Sequence, residues 1–186
     1  RTWNRNRSAA VGDRGGCPPP PDDDAQAERM GIADELFGTA GFERYEISNW
    51  ARPGHASRHN LVYWQGGDWL AFGPGAHGHW QGRRWWTHRG LARYIRAAAE
   101  AETTTAGEEL LDAAQRRTER LMMGLRLTAG VARAEVEPID ERQAAVLSVG
   151  GLLADDGERL RLTARGRPVA GAIMRRLASL TAWNER

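Results

Sequence analysis

An α/β fold that passes into a small helical, winged-helix-like domain is what this chain predicts, and three observations carry it. A proline-to-aspartate stretch at 18–24 feeds a helix that leads into a short strand, which is an α/β unit. After a Thr/Gly stretch at 103–107 the apolar spacing becomes helical. Near the end a short strand follows an Asp-Asp-Gly turn, and one more amphipathic helix closes the chain.

The elements follow in order. Residues 1–21 read as loop, with Gly12, Gly15, Gly16 and then four prolines, and they start at Arg1 rather than Met. They are expected to be the loop remnant of a truncated N-terminal part. Asp22 is placed to cap a helix, Met30, Ala33, Phe37 and Ala40 repeat at helical spacing, and Gly41 fits its stop. Residues 44–48 read as a strand and 49–54, with Pro53, as a loop. Residues 59–64 fit a short helix or an irregular turn. Residues 68–72 read as a strand ended by Gly73-Pro74-Gly75, residues 80–88 as a hairpin or loop, and 91–101 as a helix. Beyond the boundary, Leu110, Ala114, Leu121 and Leu125 share a helical face, and Asp140 caps a helix through Leu147 that ends at Gly150-Gly151. Leu160-Arg161-Leu162 is a strand after the Asp155-Asp156-Gly157 turn, and Val169, Ile173, Leu177 and Leu180 set the last helix.

Composition narrows the class. At 41% hydrophobic the 186 residues permit a packed core. No apolar run approaches the roughly 18 residues of a membrane span, so no transmembrane segment is expected. Cys17 is the one cysteine, so neither an internal disulfide nor a cysteine-held cluster can be built, and a cytoplasmic setting is expected. The 26 basic residues are all Arg, each able to fork onto a carboxylate or phosphate. Residues 44–96 carry a net charge of +6 and the remainder −4. All five histidines and six of the eight tryptophans fall between positions 50 and 88, which points to an anionic aromatic ligand. Residues 108–180 hold twelve Arg and eleven acids, without the basic excess that nucleic-acid binding needs, so no nucleic-acid partner is expected. An interaction module stays open for the last eighty residues.

Three motifs stand in order. They are Tyr45-Glu46-Ile47-Ser48-Asn49-Trp50-Ala51-Arg52-Pro53-Gly54, then Arg58-His59-Asn60-x-x-Tyr63-Trp64, then Gly67-Asp68-Trp69-x-x-Phe72-Gly73-Pro74-Gly75-Ala76-His77. Together with the Pro-Pro-Asp-Asp-Asp helix start and Leu162-Thr163-x-x-Gly166, they resemble the C-terminal half of the HemW-type heme chaperones. These are radical S-adenosylmethionine (SAM) proteins related to oxygen-independent coproporphyrinogen III oxidase. The resemblance covers about residues 18–180. It implies the end of a partial (β/α) radical SAM barrel over 22–102 and a C-terminal helical domain over 108–183. It also implies heme binding and delivery to a heme-accepting protein, with peripheral membrane association of the full-length protein. The alternative is the oxidase itself, which decarboxylates two propionates oxidatively; either ligand is an anionic tetrapyrrole. The family's Cys-x-x-x-Cys-x-x-Cys is absent, so the [4Fe-4S] cluster and S-adenosylmethionine are expected only in the full-length protein. This chain by itself is expected to hold no cluster and to have no oxidase activity.

The site residues follow. His59 is the candidate heme-iron ligand, since neutral imidazole is a common axial ligand. Within the family's His-Asn-x-x-Tyr-Trp motif, Asn60 is the amide, and Tyr63 and Trp64 offer flat faces to a macrocycle. Arg58 and Arg52 are placed to meet propionates. Gly73, Gly75 and His77 form a glycine-rich ligand loop, where glycine permits close approach. The plainer readings are a backbone-bonded structural histidine for His59 and a simple turn for 73–78. Glu46 reads as a salt-bridge partner, so no catalytic acid or base is assigned. Trp85-Trp86 is expected to cover apolar surface, His55, His79 and His88 to lie in exposed loops, and Arg116-Arg117 and Arg175-Arg176 to be solvated.

Overall fold

The computed structural model describes residues 23–178. The expected cap at Asp22, the thiol of Cys17 and Leu180 of the last apolar stripe lie outside the described residues. Helix α1 (Asp23–Thr39) stops where expected, with Gly41 at φ +78°. Strand β1 (Glu43–Glu46) then turns back at once and pairs antiparallel with β2 (Asn49–Ala51), so part of the expected 49–54 loop is strand. The α1–β1 passage is therefore not a unit of a parallel sheet. Every strand pair among the described residues is antiparallel, and a parallel barrel sheet is not formed within them. Residues 58–64 take the helical alternative: α2 (Arg58–Trp64) starts at Ser57, whose hydroxyl accepts the Asn60 N–H at 3.3 Å.

The strand expected over 68–72 does not form. Only Trp69 makes a single bridge, to His79, while Leu70 and Phe72 stand 57% and 79% exposed. The reason is local: the Asp68 carboxylate accepts the Gln81 N–H, which ties this stretch to a turn rather than to a ladder. The hairpin reading of 80–88 is realised as β3 (His77–Trp80) and β4 (Arg83–Thr87), joined by Gln81 and Gly82 at φ +50° and +81°. Helix α3 (Leu91–Ala99) follows. The Thr/Gly stretch read as a boundary is the start of β5 (Thr105–Leu110), the third strand of this sheet. Gly107 has a packing role there. A Cβ on it would sit 2.5 Å from the Trp86 ring, and one on Gly78 would sit 2.2 Å from Trp85. The two tryptophans thus lie across glycines of the flanking strands, their cross-strand partners in the ladder.

The last third holds the core. Asp112 and Gln115 cap α4 (Ala113–Gly124) reciprocally. Strand β6 (Val131–Ala132), α5 (Glu141–Val149, capped by Asp140 as expected), β7 (Leu153–Asp155), β8 (Arg159–Leu162) and α6 (Ala170–Leu177) follow. The sheet order is β6-β8-β7, and three helices cover it. Leu121, Leu125, Val131, Leu147, Leu160, Ile173 and Leu177 are all at most 2% exposed, each burial stabilising by about 1.5–3 kcal/mol. Residues before 111 add little apolar core; Ile32 and Leu36, one turn apart on α1, are 50% and 65% exposed. Polar ties join the two parts instead. Asp34 of α1 accepts from Arg44 and Trp50 and faces Arg167, and buried Glu46 meets Arg126. The Thr128 N–H donates to the Tyr45 carbonyl at 3.0 Å. Among the described residues no helix is long and apolar enough to cross a membrane.

Candidate functional site

Helix α2 sorts the motif by its own periodicity. His59 and Tyr63 are one turn apart on one face, with the His59 Nε2 3.1 Å from the Tyr63 hydroxyl and the rings 4.9 Å apart at 84°. Tyr63 meets Trp69 edge-on at 4.6 Å, and Trp69 meets His79 at 4.9 Å. Four rings thus run in contact from the exposed imidazole of His59 to the buried one of His79. The two edge-to-face contacts, His59–Tyr63 and Tyr63–Trp69, contribute about 0.5–1.5 kcal/mol each beyond their area.

Asn60 and Trp64 occupy the adjacent face and look elsewhere. The Asn60 amide donates to the Tyr45 hydroxyl at 3.1 Å, which ties α2 to β1. The Arg126 guanidinium lies 4.3 Å from the Trp64 ring centroid, and Arg120 donates to the Trp64 carbonyl at 3.0 Å. Among the described residues, the buried Trp64 indole N–H has no hydrogen-bond partner. One face of Trp64 is therefore occupied by the chain itself, and Trp64 does not share the His59–Tyr63 face. Arg58 is exposed on the first turn of α2, and Arg52 is exposed with its guanidinium over Phe42 at 5.5 Å.

The glycine-rich loop is closed on itself. Gly73 and Gly75 adopt φ +90° and +71°, which explains glycine at both. The Gly73 N–H donates to the Tyr94 hydroxyl and the Gly75 N–H to the His88 carbonyl. The Thr87 hydroxyl donates to the Gly73 carbonyl at 2.6 Å. Both glycine amides are spent within the fold, so the plain-turn reading accounts for them. His77 lies exposed on β3, 6.2 Å from and stacked with Trp86. Its carbonyl accepts the Trp69 indole N–H at 2.8 Å.

His79 corrects the exposed-loop expectation. It is buried in β3, with Nδ1 3.1 Å from the Gly67 carbonyl and 3.3 Å from Asp68. Of the other two, His55 is exposed and His88 half-buried. Beside Tyr63, Trp69 and His79 opens a cleft of about 560 Å³, closed on its far side by α4 with Arg116, Arg117 and Arg120. Sequence reasoning missed Trp69, His79 and Arg117 as members of one site. Trp69 and His79 meet through a single backbone bridge, and Arg117 comes from a helix some fifty residues on, so neither leaves a spacing signal.

Among the described residues no three His, Cys, Asp or Glu side chains group as metal ligands. A [4Fe-4S] cluster is held by cysteine thiolates, and the 186 residues contain one cysteine, so these residues do not fit that group. A heme iron makes a smaller demand, one or two axial donors, and the accessible His59 imidazole fits it.

The family model for the HemN C-terminal domain matches residues 111–169. The chain is 42% identical over 157 residues to the heme chaperone HemW of Mycobacterium tuberculosis, covering 84% of this chain and 40% of that protein. It is 35% identical over 146 residues to heme chaperone HemW of Synechocystis, covering 77% of this chain and 33% of that protein. A solved structure of coproporphyrinogen III oxidase (HemN) from Escherichia coli, a radical SAM enzyme, superposes with a TM-score of 0.64. That match covers 83% of this chain and 41% of that one at 15% identity, so it speaks for the mixed α/β fold alone. The chain spans about 40% of the length of the M. tuberculosis relative and a third of the Synechocystis one.

Proposed function

Because the chain belongs to the HemW/HemN-like family of radical SAM proteins, as a C-terminal portion of one, we propose that it supplies the heme-contacting segment of a heme-binding chaperone. The observation that carries this is the ring series led by His59: an exposed imidazole backed by Tyr63 and Trp69, inside the +6 segment. With heme bound, the His59 Nε2, now 3.1 Å from the Tyr63 hydroxyl, would hold the iron. Tyr63 and Trp69 line the macrocycle, and exposed Arg58 and Arg52 meet one propionate. Trp64 and Asn60 act one step back, by holding α2 against Arg126 and Tyr45. Gly73, Gly75 and His77 shape the neighbouring turn.

Residues 23–102 adjoin the SAM barrel of the full-length protein, to which their antiparallel strands add no parallel barrel strand. The residues from 111 on form a helical, winged-helix-like domain, a reading supported by the β6-β8-β7 order between α4 and α6. The cluster and S-adenosylmethionine belong to the full-length protein, which is cytoplasmic, associates peripherally with the membrane and passes heme to an acceptor protein.

The test is heme titration of the full-length protein. His59→Ala should shift the Soret band or weaken binding, and Tyr63→Ala should weaken it by about 1 kcal/mol or more through lost ring contact. His55→Ala, an exposed histidine with no ring contact among the described residues, should leave both unchanged. An unaltered spectrum and affinity in His59→Ala refutes ligation by His59 and moves the assignment to His77. Turnover of coproporphyrinogen with no heme bound would put the oxidase in the chaperone's place.

A further inference from the structure

The cleft between the ring series and α4 is asymmetric in charge. Three carboxylates line it, and all three are engaged. Asp68 accepts the Gln81 N–H and faces His79, Glu119 is held by Arg84 at 2.9 Å, and Glu135 is held by Arg120. The arginines are not balanced in the same way. Arg116 uses one nitrogen, on the Leu111 carbonyl at 2.6 Å. Arg117 is half-buried on the cleft wall, with no hydrogen-bond or ion-pair partner among the described residues. The opposite wall is aromatic, built from Tyr63 and Trp69, and Met123 adds a soft apolar contact. One wall thus offers flat faces and the other offers uncommitted guanidinium, with about 560 Å³ between them. A guanidinium held half out of water with no partner is poised for an anion, because a carboxylate can take two of its N–H groups at once.

We propose that this cleft seats the carboxylate-bearing edge of a flat aromatic ligand, with Arg117 and Arg116 of α4 as its anion partners and Tyr63 and Trp69 as its stacking wall. This rests on the heme reading above, through Tyr63, which touches His59 and lines the cleft. It gives α4, at the start of the HemN C-terminal domain, a direct part in binding.

The test compares hemin with its dimethyl ester, in which both carboxylates are masked, on the full-length protein. Arg117→Gln should weaken hemin binding about tenfold or more, the size of one lost charge-assisted hydrogen bond. It should leave the Soret position unchanged, since the iron ligand is untouched, and should leave the affinity for the ester unchanged. Ala113→Trp, at an exposed position on the cleft rim, should weaken both ligands by filling the space. Wild-type hemin affinity in both variants overturns the assignment while leaving His59 ligation standing. An equal loss of hemin and ester in Arg117→Gln overturns the anion role. Failure of the unmodified protein to bind hemin overturns this inference and the chaperone reading together.

Discussion

Asp34→Asn removes one negative charge from the polar tie between α1 and the rest of the chain. Its carboxylate accepts from the Arg44 Nε at 2.7 Å and the Trp50 indole N–H at 2.8 Å, and its second oxygen faces Arg167 at 3.5 Å. The Arg44 guanidinium also lies over the Trp50 ring at 4.1 Å, and its side chain is only 5% exposed. Asparagine keeps the shape and one acceptor. It turns the charge-assisted bonds into weaker neutral ones and leaves the buried cation of Arg44 beside that of Arg167. Losing one partner of a fully buried pair costs about 3–5 kcal/mol, and a hydrogen bond to a charged group contributes about 1.5–3 kcal/mol. Asp34 is 35% exposed, so solvent screens part of this and the lower range applies. The expected loss is about 2–3 kcal/mol, a fall in Tm of about 4–12 °C for a domain of this size. Urea and thermal unfolding of the full-length protein, followed by tryptophan fluorescence, reads it out. Glu35→Gln on the same helix turn, at an exposed carboxylate, is the control and should change stability by less than about 0.5 kcal/mol. An Asp34→Asn protein as stable as that control would refute the tie.

Three further outcomes follow from the same structure. Burial pushes the Asp34 carboxyl up, but hydrogen bonds from Arg44 and Trp50 and the charges of Arg44 and Arg167 outweigh it and hold the group below its ordinary value. Its stabilisation is therefore present above the unfolded value of about 3.9 and lost as pH falls below it. Acid unfolding should start at higher pH in the unsubstituted protein relative to its plateau than in Asp34→Asn, whose stability should be flatter below about pH 4. Gly78→Ala places a methyl 2.2 Å from the Trp85 ring and should cost about 1–3 kcal/mol by overpacking, seen as a lowered urea midpoint. Leu121→Ala, at a 1% exposed position in the C-terminal core, should cost about 2–5 kcal/mol by the same measurement.

The reach of sequence reasoning differs along the chain. From 112 onward, caps and apolar spacing place most of the helices: Asp140 caps α5, the Asp155-Asp156-Gly157 turn precedes β8, and Ile173 and Leu177 point α6 into the core, whereas Leu110, read onto the face of α4 with Leu121 and Leu125, instead ends strand β5 and is 75% exposed. These are local signals, set by which backbone N–H a side chain can reach and by the 3.6-residue repeat. In the first 110 residues the same reasoning misassigns 68–72 as strand and Gly107 as part of a domain boundary. Whether an extended stretch becomes a strand depends on a partner elsewhere in the chain, and Gly107 is needed only because Trp86 lies over it. His79 was misplaced for a related reason, because burial on a hairpin depends on what the loop at 67–69 does.

By itself the sequence determined which chemical groups are present and in what order: the His-Asn-x-x-Tyr-Trp run, the arginine-rich aromatic segment, and the helical apolar spacing of the last third. The tertiary structure alone decided how those groups face one another. Helical geometry sends His59 and Tyr63 one way and Trp64 another, toward Arg126. A single bridge brings His79 to Trp69, and the packing of α4 sets Arg117 across a cleft from both. Spacing along a chain fixes neighbours within a helical turn or a hairpin. Contacts between groups fifty residues apart come from packing, and packing is a property of the whole fold.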